Sequence, residues 1–154
     1  MKGNSRVIDM LNARLSEELT AVNQYMVHAE MCDNWGYSHL AEAVEKRAIE
    51  EMKHAEKLIA RLLFLEGTPI VSQLGKITIG AAVEAQLSND LNAESDAVKV
   101  YNESIKLTVE TGDNGTRELL DSILKAEESH LDWLEAQLDQ IKQMGLGNYL
   151  EHQI

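Results

Sequence analysis

Apolar residues recur at alternating spacings of four and three along two well-separated stretches of the chain. The first stretch reads Leu11, Leu15, Glu18, Val22, Tyr25, Ala29. The second reads Leu87, Leu91, Glu94, Val98, Tyr101, Ile105. This spacing keeps one residue per turn on a single face and predicts two amphipathic α-helices. The first five residue types agree between the stretches at a constant offset of 76, Leu11 answering to Leu87. Two further stretches repeat at the same offset. Glu51, His54, Ala55, Leu58 and Leu62 answer to Glu127, His130, Leu131, Leu134 and Leu138. The pattern predicts a doubled helical hairpin with its halves related by a pseudo-two-fold axis.

Breakers set the limits of the elements. Asn4 and Ser5 suit an N-cap, so the first helix is expected from about residue 5 to Asn34, where "NWG" stops it. The second is expected from about Ser38 to Leu65, before Gly67 and Pro69. A crossover over about 66–82 follows, rich in β-branched residues and glycine. The third helix is expected from about Val83 to Thr111, with "TGDNG" as a turn, and the fourth from about Thr116 to Met144. A short C-terminal helix over about 147–154 closes the chain. Short turns make each consecutive pair antiparallel, and the long crossover can run the length of the bundle. The prediction is an all-α, ferritin-like four-helix bundle, one domain spanning 1–154.

Composition narrows the function. A net charge of -12 repels nucleic acid and anionic membranes and attracts cations. The single Cys32 excludes an internal disulfide framework and any CxxC metal site. No apolar run suits a signal peptide or a membrane span, so a cytoplasmic, reducing setting is expected.

The polar residues on the seams carry the chemistry. Each half supplies one Glu from its first helix, Glu18 or Glu94. Each also supplies Glu-x-x-His from its second, Glu51 with His54 or Glu127 with His130. Glu and His at i, i+3 project from one side of a helix. Four carboxylates and two imidazoles would therefore meet at mid-bundle. Buried charge of that density must pair, shift its pKa or bind metal. Arg47 and Arg61 are the nearest cations and are expected to be partial partners at most. Two metal ions answer the charge, and a carboxylate–imidazole set suits iron or manganese better than zinc. One Glu from each of two helices and Glu-x-x-His from the other two is the di-iron carboxylate pattern. His28, His39 and His152 have no Glu at the matching offset and are expected at the surface, and Cys32 is expected to be a small buried residue. Met52 lies about 100° around the helix from Glu51. On its residues alone it is an apolar interface methionine on an outward strip with Ile49 and Met26.

With these residues in view, the chain resembles the bacterioferritins over nearly its whole length. The matching stretches are "MKG" at 1–3, "NQY" at 23–25, "NWG" at 34–36, "EMKHA" at 51–55 and "LFLEG" at 63–67. They continue with "LGK" at 74–76, "EESHLDWLE" at 127–135 and "MGLGNYL" at 144–150. The resemblance implies a homo-oligomeric, 24-subunit shell that oxidises Fe(II) with O2 or H2O2 and stores Fe(III) mineral. It makes Glu18, Glu51, His54, Glu94, Glu127 and His130 the di-iron ligands, with Glu51 and Glu127 bridging. It implies that Glu18 with His54 caps one iron and Glu94 with His130 the other. It makes Met52 the axial ligand of a haem b shared across a two-fold dimer interface, and a reduced ferredoxin the electron donor for release. Tyr25 matches a family tyrosine near the iron pair, whereas Tyr101 is expected to be an ordinary core tyrosine. Asn34, Glu66, Asp132 and Asp139 match residues lining a pore. The resemblance breaks at Lys46 and Glu50, where many members have His and Asp in an auxiliary inner-surface iron site. Lys46 is a poor ligand, so the resemblance does not by itself imply that site here. It also breaks at Glu45, commonly aromatic beside the haem. The alternatives are a haem-free storage ferritin, a rubrerythrin-like di-iron peroxidase, and a bundle whose polar seam only fixes register. The peroxidase would need a four-cysteine iron site, which a chain with Cys32 alone lacks.

Overall fold

A computed structural model describes residues 1–154. Its elements are α1 (Ser5–Asn34), α2 (Ser38–Phe64), α3 (Val83–Glu110), α4 (Asn114–Met144) and the short α5 (Leu146–Glu151). There is no strand, and the expected four-helix bundle with a long crossover and a short fifth helix is what forms. No helix is long and apolar enough to cross a membrane.

Local chemistry explains the ends. The Asn4 side chain accepts a hydrogen bond from the Arg6 backbone N–H and caps α1. Both hairpin turns bend through a glycine in the left-handed region, Gly36 at φ 86 and Gly112 at φ 69. These two glycines obey the same 76-residue offset as the seams. The fourth helix starts at Asn114 rather than near Thr116, because Asp113 caps it. Its carboxylate accepts from the Thr116 N–H at 3.0 Å and the Thr116 hydroxyl at 2.6 Å. Arg61 Nη2 donates to the same group at 2.8 Å, tying the end of α2 to the start of α4.

Cross-helix contacts set the directions. Arg6 meets Glu110, Arg14 meets Ser104, and Gln24 meets Asp90, so α1 and α3 run antiparallel. Arg47 meets Glu127 and Arg61 meets Asp113, so α2 and α4 are antiparallel too. The crossover must therefore travel the bundle's length, and a polar stripe on α1 guides it. Asn12, Ser16, Thr20, Gln24 and His28 fall at every fourth residue and form one row. They hydrogen-bond in turn to the backbone of Thr68 and Ile70, Gln73, Gly75, Thr78 and Gly80. The segment has no ladder partner, so these side chains satisfy backbone groups that would otherwise depend on water.

His28 belongs to that row and corrects the surface position expected for it. It is fully buried, and its Nε2 accepts from the Gly80 N–H at 3.0 Å. Its Nδ1 must then carry the proton and donate to Asp90, 2.9 Å away. His39 and His152 are exposed and Cys32 is buried, each as expected.

The apolar core is in two parts. One contains Val7, Leu11, Leu15, Leu58, Leu62, Leu120 and Ile123. The other contains Ala29, Leu40, Val44, Leu87, Leu134, Ile141 and Tyr149 of α5. Between them lies a layer of buried charge.

The Asp113 junction yields a test. Asp113→Ala should destabilise the fold by about 1–2 kcal/mol, measured by urea denaturation. Burial works against the Asp113 carboxylate, but Thr116 and Arg61 outweigh it and lower its pKa. Its contribution should therefore be complete at neutral pH and fade as the pH falls through that lowered value. The variant and parent should converge in stability under strongly acidic conditions. A constant difference down to low pH would refute this role.

Candidate metal centre

The layer between the two apolar parts contains all six seam residues singled out by the repeat. Glu18, Glu51, Glu94 and Glu127 are buried at 3%, 1%, 1% and 1% exposure, and His54 is buried at 7%. Ionised carboxylates are almost never this enclosed without compensation. Ligand-capable atoms of Glu18, Glu51, His54 and Glu127 all lie within 4.8 Å of one another, and this group could hold a metal ion. Glu94 and His130 stand beside it, His130 Nδ1 lying 2.9 Å from Glu94 Oε1.

Hydrogen bonding leaves one atom free on every member. Glu18 Oε2, Glu51 Oε1, Glu94 Oε2, Glu127 Oε1, His54 Nδ1 and His130 Nδ1 are buried and accept or donate no hydrogen bond. Ion pairs stand in at several of these atoms: Arg47 Nη2 lies against Glu51 Oε1, His54 Nδ1 is 3.3 Å from Glu127 Oε1 and His130 Nδ1 is 2.9 Å from Glu94 Oε1, so the four acids face one guanidinium and two imidazoles. Hard oxygen donors with two imidazole nitrogens fit iron or manganese.

Two tyrosines aim the carboxylates. Tyr25 on α1 donates its hydroxyl to Glu94 Oε1 on α3. Tyr101 on α3 donates to Glu18 Oε1 on α1 at 2.5 Å. The exchange is reciprocal and displays the pseudo-two-fold axis directly. In both cases Oε1 takes the hydroxyl and Oε2 is left free. Tyr101 is therefore not an ordinary core tyrosine but the counterpart of Tyr25. Burial and then the neighbouring carboxylate push both phenols well above their usual range, so both remain donors. Tyr25 also meets the His130 ring edge-on at 5.5 Å, and His130 stacks on Trp133 at 5.8 Å.

The electrostatics show how heavily the layer is charged. Burial, and then Glu18, raises the Glu51 pKa, while burial, and then Glu94, raises that of Glu127. Burial also opposes the charged form of Glu94, but Glu127, His130 and Arg47 outweigh it and hold its pKa low. Burial opposes the His54 imidazolium, yet Glu127, Glu18 and Glu51 around it hold its pKa up, at about 11.

Arg47 corrects the sequence expectation. It is only 4% exposed, and its guanidinium enters the layer rather than brushing its edge. Its Nη2 pairs with Glu51, lies 2.9 Å from Glu127 Oε2 and 3.6 Å from Glu94 Oε2. Its Nη1 donates to Glu50 at 3.0 Å. Arg61 is elsewhere, committed to Asp113 and Thr116. The expectation failed because arginine is usually exposed, and its partner Glu127 is on a helix far away in sequence. The i, i+4 spacing of Arg47 and Glu51 was the available signal.

Two openings reach the layer. A cavity of about 230 Å3 lies between α1, α3 and the crossover, with Glu17, Asp96 and Lys76 near Glu18 and Glu94. Another of about 400 Å3 lies between α2 and α4, lined by Lys46, Arg47, Glu50 and His130. Met52 stands off the seam at 44% exposure, on a helix whose Ile49 is also exposed, and Met26 of α1 is exposed as well. Asn34, Glu66, Asp132 and Asp139 are all exposed.

The chain is similar to known ferritin-like proteins. The model of the ferritin-like domain family matches residues 8–144. A bacterioferritin of Rhodobacter capsulatus is 41% identical over 145 residues, 94% of this chain and 90% of the relative. One from Brucella melitensis is 42% identical over 149 residues, 97% of this chain and 92% of the relative. One from Mycobacterium tuberculosis is 37% identical over 145 residues, 94% of this chain and 91% of the relative.

A buried layer of four acids and two imidazoles, short of hydrogen bonds at one atom each, should be stabilised by a cation that it can coordinate. Manganese(II) added to metal-stripped protein should raise the melting temperature, by the linkage of binding to folding. Glu51→Ala should remove most of that rise. A rise that survives unchanged in Glu51→Ala would place the bound metal elsewhere.

Proposed function

The chain belongs to the bacterioferritin family, and on that premise we propose that it stores iron after oxidising Fe(II) at the buried Glu/His layer. The observation that carries this reading is the gathering of Glu18, Glu51, His54, Glu94, Glu127 and His130 in one buried layer, each with an atom that makes no hydrogen bond. Two Fe(II) are the substrate. Each gives one electron, and the pair reduces O2 with two protons to H2O2, or H2O2 with two protons to two waters.

The protein's part is positioning and charge. Glu51 and Glu127 face each other across the bundle and suit bridging positions. Glu18 with His54, and Glu94 with His130, suit the two ends. Anionic oxygen donors stabilise Fe(III) more than Fe(II), which favours oxidation. Tyr25 and Tyr101 hold Glu94 and Glu18 by one oxygen and turn the other inward. The acidic approach past Glu17 and Asp96, together with the net charge, draws cations towards the layer.

The wider assembly follows from the family. A homo-oligomeric shell of 24 subunits would hold the mineral. Met52 from each of two subunits would bind one haem b at the dimer two-fold, where a single residue is presented twice. Bound there, the haem would supply one-electron redox chemistry, and a reduced ferredoxin is the partner the family suggests for iron release. The half-exposed Met52, beside the exposed Ile49 on the same helix, is compatible with an apolar haem-bearing interface.

Aerobic Fe(II) oxidation followed by absorbance tests the core of this reading. Glu18→Ala and His130→Ala should each slow the initial rate by about 10–100-fold. Initial rates equal to the parent's would refute the ligand set. Met52→Leu should lose the haem spectrum while still oxidising iron, and haem retained in that variant would refute the axial assignment.

A further inference from the structure

The pseudo-two-fold that relates the halves fails at one buried position. Arg47 precedes Glu51 by one turn of α2, and its counterpart one turn before Glu127 on α4 is Ile123. Both are buried, Arg47 at 4% and Ile123 at 1%. Ile123 belongs to the apolar part beside α1. Arg47 puts a permanent positive charge into the layer.

That charge is not shared evenly. Arg47 Nη2 lies against Glu51 and Glu127, which the two positions share on the reading above, and of the two end carboxylates it reaches Glu94, at 3.6 Å. It makes no contact with Glu18. The compact group of donors is correspondingly the other one, Glu18, Glu51, His54 and Glu127. The layer as it stands is one gathered group of donors beside a guanidinium nitrogen that lies among Glu51, Glu94 and Glu127.

We propose that Arg47 makes the two metal positions unequal: the Glu18–His54 position takes a divalent cation first, and the Glu94–His130 position takes one only by displacing Arg47. The inference rests on the di-metal reading above. Charge supports it. With the carboxylates ionised and the imidazoles neutral, as metal binding requires, the layer carries -4, which one divalent cation plus Arg47 nearly neutralises and two divalent cations neutralise fully. A second cation beside a retained guanidinium would face a like charge at contact distance in a low-dielectric layer. Arg47 has somewhere to go. Its Nη1 already bonds Glu50, and the cavity of about 400 Å3 between α2 and α4 opens on Arg47, Glu50 and Lys46. Its Nε is buried without a hydrogen-bond partner, so the inward pose leaves part of the guanidinium unsatisfied. Arg47 is thus a positioning residue, an internal counter-ion that holds the second position closed until a cation competes for it.

Anaerobic titration of the metal-stripped full-length protein with Co(II), read by its d–d absorption bands and by calorimetry, tests this. The parent should bind two equivalents in two resolved steps, the first tighter by about tenfold or more. In Arg47→Gln the second step should tighten until the two nearly merge. Arg47→Lys, which keeps the charge, should retain two separated steps. Two equivalents of equal affinity in the parent would overturn the proposal whether or not Arg47→Gln folds. So would separate steps that persist unchanged in a folded Arg47→Gln. Absence of Co(II) binding at the layer in the parent would overturn the di-metal reading itself, a different result from two equal sites.

Discussion

Four carboxylates buried within one layer of a helical bundle must be matched by positive charge, and the rest of this structure is arranged around that requirement. Glutamates are rarely enclosed, because moving a charge out of water costs several kcal/mol even after relaxation. Here they are not held by the surface of a domain but by its middle. The apolar residues that would form one continuous core form two, with the acids between them. Each part clamps one end of the layer, so the ligand-bearing turns of α1 to α4 are fixed from both sides. On the proposed function, divalent cations supply that charge, which links the fold to iron handling.

The supporting contacts serve the same end. Tyr25 and Tyr101 reach across from α1 and α3 and settle which carboxylate oxygen faces inward. Trp133 and Tyr25 pin the His130 ring by stacking and edge contact. The crossover, held by the polar row on α1, brings Gly75 and Lys76 over the opening near Glu18 and Glu94. Orientation by neighbours of this kind separates a usable metal site from a set of acids that only happen to be close.

Much of this was legible in the chain because it repeats. A lone Glu-x-x-His says little, but the same set at one offset on matching seams places six residues in a common layer. The helix breaks were legible from glycine and proline, and the turn glycines Gly36 and Gly112 keep the same offset. What stayed hidden depended on contacts between distant segments. Asn12, Ser16, Thr20, Gln24 and His28 form a polar row on α1, and hydropathy does not show that a backbone will lie along it. His28 was misplaced for that reason. Arg47 was underestimated because its weight comes from Glu94 and Glu127 on other helices. Tyr101 was underestimated although the repeat already paired it with Tyr25. Met52 has no internal copy, and its haem role comes from the family alone.

The central claim is that the layer between the two apolar parts is a two-metal centre. Crystals of the protein soaked anaerobically in Fe(II) and measured at the iron absorption edge would address it most directly. The account predicts two anomalous peaks about 3.5–4 Å apart at mid-bundle, flanked by Glu51 and Glu127. Anomalous density confined to surface acids, with Arg47 still in contact with Glu51, Glu94 and Glu127 and no metal among them, would contradict it.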